Sequence, residues 1–148
     1  MMGRDSTAKE IGGLVVSHGN LAHELVAAAR KIGGSSPISI QALTLEWDDS
    51  VEDAKGKLAD AIRKLGNCDG VIIFTDMFGG TPSNIALSFF EQDRVEIVTG
   101  VNLPMVIKFC SLKREGLGLG EVARAIQDRG ARSIRVASDI LAARPGEN

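Results

Sequence analysis

Several features that would point to nucleic acid, to a membrane or to a metal are missing from this chain. Across 148 residues the formal net charge is −2, so no basic excess is available to neutralise a phosphate backbone or an anionic lipid surface. No apolar run approaches the ~20 residues that cross a bilayer. The polar opening MMGRDSTAKE has no apolar stretch of the kind a secretory leader carries. These absences argue against nucleic-acid binding and membrane insertion and predict a cytoplasmic protein. Cysteine is scarce: Cys68 and Cys110 form no C-x-x-C pair, which predicts buried or half-buried thiols in a reducing compartment. Histidine is equally scarce, as His18 and His23 only, and no cluster has metal-ligand spacing. Asp48, Asp49 and Asp53 are better explained as a loop leading to a capped helix start, Ser50-x-x-Asp53, than as a cation site. Neither metal nor cofactor is expected. What is present, 44% hydrophobic and 24% charged residues, suits one globular domain with a substantial core.

The chain is organised around GVIIFTDMFGGTPSNI, residues 70–85. Its β-branched and aromatic start reads as a buried strand. The turn Asp76-Met77-Phe78-Gly79-Gly80 follows, with two glycines that let backbone amides approach a ligand closely. Thr81 as N-cap and Pro82 at the first helical position then open a helix. Strand, glycine turn and helix start together form a cup for an anion. Asp76 stands on its rim, so a bare anion would be repelled unless a positive or proton-bearing group intervenes. His18 is the candidate for that group.

The remaining elements follow from periodicity. Residues 1–10 read as an extension. A strand over 11–17 ends in His18-Gly19-Asn20. A helix over about 21–32 follows, capped by Asn20, with Leu21, Leu25, Ala28 and Ile32 on one face and Gly33-Gly34 at its end. Ile38, Ile40 and Ala42 alternate with polar residues, as in a more exposed edge strand. Glu46-Trp47-Asp48-Asp49 is a loop before a helix marked by Val51, Ala54, Leu58, Ala61, Ile62 and Leu65. After Pro82, the residues Ile85, Ala86, Phe89 and Phe90 are expected to face inward. A fourth strand covers 94–99. Pro104 opens a further helix, followed by Lys108, Lys113 and Arg114 on a solvated face. Gly116-x-Gly118-x-Gly120 has the wrong spacing for a nucleotide loop and reads as a connector to a helix over 119–129. A short additional C-terminal strand is expected at 133–137, and 139–148 reads as a tail. The result is a single α/β domain over 11–138. It is flavodoxin-like and doubly wound, with a mostly parallel sheet in the order 2-1-3-4 and helices on both faces. In that order His18 and Asp76 end neighbouring strands at the switch point, ~4.8 Å apart in strand spacing.

Three motifs carry a family resemblance: Val16-Ser17-His18-Gly19, the stretch from Phe74 to Pro82, and Thr99-Gly100-Val101-Asn102-Leu103-Pro104-Met105. Over roughly residues 12–137 the chain resembles the EIIA component of the mannose family of the bacterial sugar phosphotransferase system. The resemblance implies a phosphocarrier that accepts a phosphoryl group on His18 from the histidine phosphocarrier HPr. It passes that group to an EIIB partner, which acts with membrane EIIC and EIID in sugar uptake or its regulation. Asp76 would orient the histidine. A homodimer is also implied, in which the final strand can be exchanged. The chain ends after one domain, so no fused EIIB is expected.

The residues support the same chemistry on their own. Neutral imidazole supplies a lone pair near pH 7, and a carboxylate on Nδ1–H places that lone pair on Nε2. The amides of Gly79, Gly80 and Thr81, with the Thr81 hydroxyl, are candidates to hold phosphoryl oxygens. Met77 and Phe78, with Asn102, are candidates to face a partner. His23, off the apolar stripe, reads as a surface residue. Two alternatives remain. One is a regulatory module read by its phosphorylation state, although receiver domains place acidic residues where this chain has His18. The other is a tetrapyrrole metal chelatase, which would want further metal-binding side chains.

Overall fold

The apolar runs at 11–17 and 70–75 become the two inner strands of one sheet. The computed structural model describes residues 10–33 and 39–143. In it β1 (Ile11–His18) lies beside β3 (Gly70–Thr75), with β2 (Ile40–Leu45) outside β1 and β4 (Val95–Thr99) outside β3. All three pairings are parallel and the order is β2-β1-β3-β4. Alternation along the inner strands divides the core into two layers. Leu14, Val16, Val71 and Ile73 face α2 (Val51–Arg63) and α3 (Thr81–Leu87). Val15, Ile72 and Phe74 face α1 (Leu21–Gly33), α4 (Leu103–Ser111) and α5 (Leu119–Arg132). Phe74 and Phe109 meet edge to face, with ring centroids 5.6 Å apart, an arrangement the ring quadrupoles favour.

Several local expectations are corrected. The buried stripe of α1 is Ala22, Val26 and Ala29, whereas Leu21 and Ile32 are exposed. Small residues on this face let the helix approach both the sheet and α4. Asn20 does not cap α1 with its side chain, which instead donates to Glu24. The buried hydroxyl of Ser17 accepts from Ala22 N at 2.7 Å. α3 starts one residue earlier than expected, with Gly80 as N-cap, and ends at Leu87. Phe90 therefore falls beyond the helix and is exposed, while Phe89 packs against the core. Arg114 is no surface residue: it is buried, its guanidinium lies 4.5 Å from the Phe109 ring centroid and it donates to Phe109 O.

The additional C-terminal strand is not formed. The sheet of the described residues has four strands. Residues 134–136 are extended or irregular and lead into α6 (Ala137–Ala142), which occupies part of the region expected as tail. Ile134 and Val136 are exposed, and among the described residues this segment pairs with no strand. Of the expected N-terminal extension only Glu10 is described, and it is tied to Asp69 by hydrogen bonds in both directions. Gly34 and Ile38 lie outside the described residues. Among the described residues no helix is long and apolar enough to cross a membrane.

Candidate functional site

His18 is the last residue of β1, and the β1–β3 register ends at Val16 opposite Thr75. The chain therefore carries His18 two residues past that pair and Asp76 one residue past it, at the switch point. There His18 Nδ1 lies 2.7 Å from Asp76 Oδ2. The same carboxylate oxygen accepts the His18 backbone N–H at 2.9 Å. The other oxygen, Oδ1, accepts Met77 N–H at 2.9 Å. Asp76 is thus held by three donors. An ionised carboxylate can only accept, so Nδ1 is the protonated nitrogen of the neutral ring and Nε2 keeps its lone pair. The His18 side chain is 24% exposed and that of Asp76 11%, enough to weaken solvent competition while leaving the imidazole edge accessible.

The glycine turn closes against this pair. Gly79 has φ +89°, a backbone conformation that favours glycine. Gly80 has φ −85° and is constrained for another reason: a Cβ there would lie 3.2 Å from both His18 Cε1 and Met77 Cγ, so these side chains would have to give way. The amide of Gly79 is already engaged, donating to the buried hydroxyl of Ser83 at 3.0 Å. The expected three-amide cup is therefore reduced. Among the described residues, the amides of Gly80 and Thr81 have no hydrogen-bond partner. Thr81 is the first helical residue, so its hydroxyl is not spent as an N-cap. With His18, Trp47 and Asp49 it lines a cleft of about 130 Å³.

Met77 and Phe78, exposed by 55% and 71%, flank the pair. Asn102 is committed internally. It caps α4 by accepting from Met105 N at 3.1 Å, and it donates to Gly130 O at 3.1 Å. The loop that carries it is pinned to the end of β3 by Gly100 N and Val101 N, both donating to Thr75 O. His23 sits on the exposed side of α1 with Nδ1 3.1 Å from Thr44 Oγ1, away from the His18–Asp76 contact. Asp49 accepts from Lys57 Nζ at 2.7 Å and from Glu46 N at 2.8 Å; these contacts hold its carboxyl below the usual range. Ser50 caps α2 by accepting from Asp53 N. Among the described residues no group of acidic, histidine or cysteine side chains has a metal-binding arrangement. Cys68 and Cys110 are half-buried, and burial raises the pKa of both thiols.

Two residues at this site escape sequence reasoning. Ser83, in the first turn of α3, carries no signal that its hydroxyl closes the Gly79 turn. Trp47 stacks on His18, with ring centroids 4.7 Å apart and planes inclined by 19°. The clue was register: His18 pairs with Leu45, which brings the loop two residues later beside the imidazole.

Comparison with known proteins agrees with this architecture. A family model described as "PTS system fructose IIA component" matches residues 12–127. The fructose-specific EIIA component of Bacillus subtilis is 28% identical over 129 residues, covering 86% of this chain and 87% of that protein. The mannose-specific EIIAB component of Escherichia coli is 22% identical over 135 residues, covering 90% of this chain and 40% of that longer protein. Among solved structures, the mannose/sorbose-specific IIA subunit from Enterococcus faecalis superposes with a TM-score of 0.75 at 25% identity, over 86% of this chain and 94% of that one. The IIA protein associated with the fucose utilization operon of Streptococcus pneumoniae gives 0.74 at 28% identity, over 91% and 98%.

Proposed function

In this chain, which belongs to the mannose/fructose family of phosphotransferase-system EIIA components, we propose that His18 Nε2 is the atom that carries the phosphoryl group. Members of the family are phosphocarriers, and the chain transfers phosphoryl groups through a phosphohistidine intermediate. One observation carries the assignment to His18: Asp76 Oδ2 receives both the backbone N–H and the Nδ1–H of this residue. That double bond of contacts fixes the ring and its tautomer before the donor arrives, so Nε2 needs no proton loss to attack.

In the transfer, Nε2 forms a bond to phosphorus as the bond from phosphorus to the donor nitrogen breaks. The electron pair of the broken bond returns to the donor's ring. Nδ1 keeps its proton and the His18 ring becomes cationic, facing the negative charge of Asp76. The amides of Gly80 and Thr81 and the Thr81 hydroxyl are the groups suited to the phosphoryl oxygens; the Gly79 amide supports the turn. HPr is the proposed donor and an EIIB the proposed acceptor, acting with membrane EIIC and EIID. Exposed Met77 and Phe78 beside the pair suit a surface that meets each partner in turn. Asn102 shapes the neighbouring loop. A homodimer is the proposed assembly.

Incubation with phosphorylated HPr, followed by peptide mapping, tests the assignment. An acid-labile phosphate on His18 is expected, with none on the His18→Ala protein. Phosphate on His23, or full labelling of His18→Ala, would overturn it.

A further inference from the structure

We propose that Trp47 is a positioning residue for the phosphoryl transfer: its indole stabilises the cationic ring that His18 becomes when phosphorylated. The inference rests on the assignment of His18 as the phosphorylated residue. The indole and imidazole are stacked, 4.7 Å between centroids at 19°. Trp47 remains 79% exposed, so core burial does not account for its placement. The turn that presents it is closed at several points. Asp49 N donates to Glu46 O, Glu46 N donates to Asp49 Oδ2, and Lys57 Nζ ties that carboxylate to α2 at 2.7 Å. Lys57 and Ser50 therefore connect the orientation of an exposed indole to a helix packed on the sheet.

The two contacts to the imidazole divide the work. Asp76 meets its edge at Nδ1 and sets the tautomer. Trp47 stacks on one face of the ring. A neutral imidazole gains little from an aromatic face beyond contact. Once Nε2 is bonded to phosphorus and Nδ1 keeps its proton, the ring carries positive charge, and the electron-rich face of the indole attracts it. The stack therefore favours the phosphorylated state over the free one. This changes the equilibrium of the transfer, not only its rate. An indole that merely docked the donor would alter forward and reverse rates alike and leave the equilibrium unchanged.

The test is the equilibrium constant for transfer between phosphorylated HPr and the full chain, for wild type, Trp47→Leu and Trp47→Phe, with circular dichroism as the folding control. Trp47→Leu is expected to lower the constant about two- to tenfold, and Trp47→Phe to recover part of the loss. Trp47 is the one tryptophan in the sequence, so its fluorescence supplies a second reading. Emission should change when wild type is phosphorylated and stay constant in His18→Gln under the same treatment. An equilibrium constant in Trp47→Leu equal to that of wild type, or equal losses in the Leu and Phe variants, would overturn the role of the indole. Absence of phosphate on His18 in the wild-type protein would instead overturn the assignment on which it rests.

Discussion

At the scale of single residues, Asp76 faces three donors and no acceptor: His18 N, His18 Nδ1 and Met77 N. Asparagine has nearly the same shape but offers one oxygen and one NH2 group. In Asp76→Asn, either the Met77 amide or the two His18 groups must face a donor, and the reactive tautomer loses its partner. The Asp→Asn change in a serine-protease triad costs about 10⁴ in rate. Imidazole attacking phosphorus needs no proton removal from a hydroxyl, so a loss of about 10²–10³ is expected here, with helix and sheet content intact. Rapid-quench transfer from phosphorylated HPr measures it; equal or faster transfer would remove Asp76 from the mechanism. The two glycines separate in the same way. Gly79→Ala meets no atom within 4 Å but must adopt φ +89°, a cost of about 1–2 kcal/mol in denaturant unfolding. Gly80→Val has an ordinary φ but presses on His18 Cε1, so it should slow transfer more than it destabilises the fold. Equal stability loss with unchanged transfer in both variants would contradict that division. His18, Asp76 and the glycines were legible in the sequence because each follows a recognisable strand. Trp47 was not, because its stacking depends on the β1–β2 register and on a turn closed by side chains.

At the scale of elements, strand order was legible and helix faces less so. Four apolar runs, each followed by a helix, leave few parallel arrangements, and the observed order is one of them. The face of α1 was misread because periodicity favours large residues. Leu21 and Ile32 looked like core positions, yet the packed face is Ala22, Val26 and Ala29. The caps were misread for a related reason: Asn20 and Thr81 have good capping chemistry, but caps depend on where the chain turns. Ser17, inside β1, performs the function at α1 by accepting from Ala22 N. Its hydroxyl is fully buried, so Ser17→Ala should cost about 1–2 kcal/mol. Asn20→Ala, whose side chain meets only Glu24 at the surface, should cost less than half of that. Urea unfolding of both variants decides; the reverse ranking would return the cap to Asn20.

At the scale of the whole molecule, the free edge of β4 is the unfinished part of the fold. Phe78, Leu87, Ile97, Val98, Ala123 and Arg124 are among the residues that line a groove of about 380 Å³ along it. Residues 134–136 and α6 leave Ile134, Val136 and Leu141 exposed. A strand was expected at 133–137 because its residues have strand chemistry; it is absent because pairing needs an edge that its own chain does not bring to it. In the proposed homodimer a second copy would supply both the edge and the segment. Light scattering at micromolar concentration should give twice the monomer mass, and Val136→Asp should shift it toward monomer. A monomeric wild type would contradict the proposed assembly.

The central claim concerns one nitrogen. Phosphorylated protein, labelled with ¹⁵N in its histidines, can be read directly by nitrogen–phosphorus coupling in nuclear magnetic resonance. The account predicts a coupling to His18 Nε2, with the proton retained on Nδ1 against Asp76. Coupling to Nδ1 of His18, or to either nitrogen of His23, would contradict it.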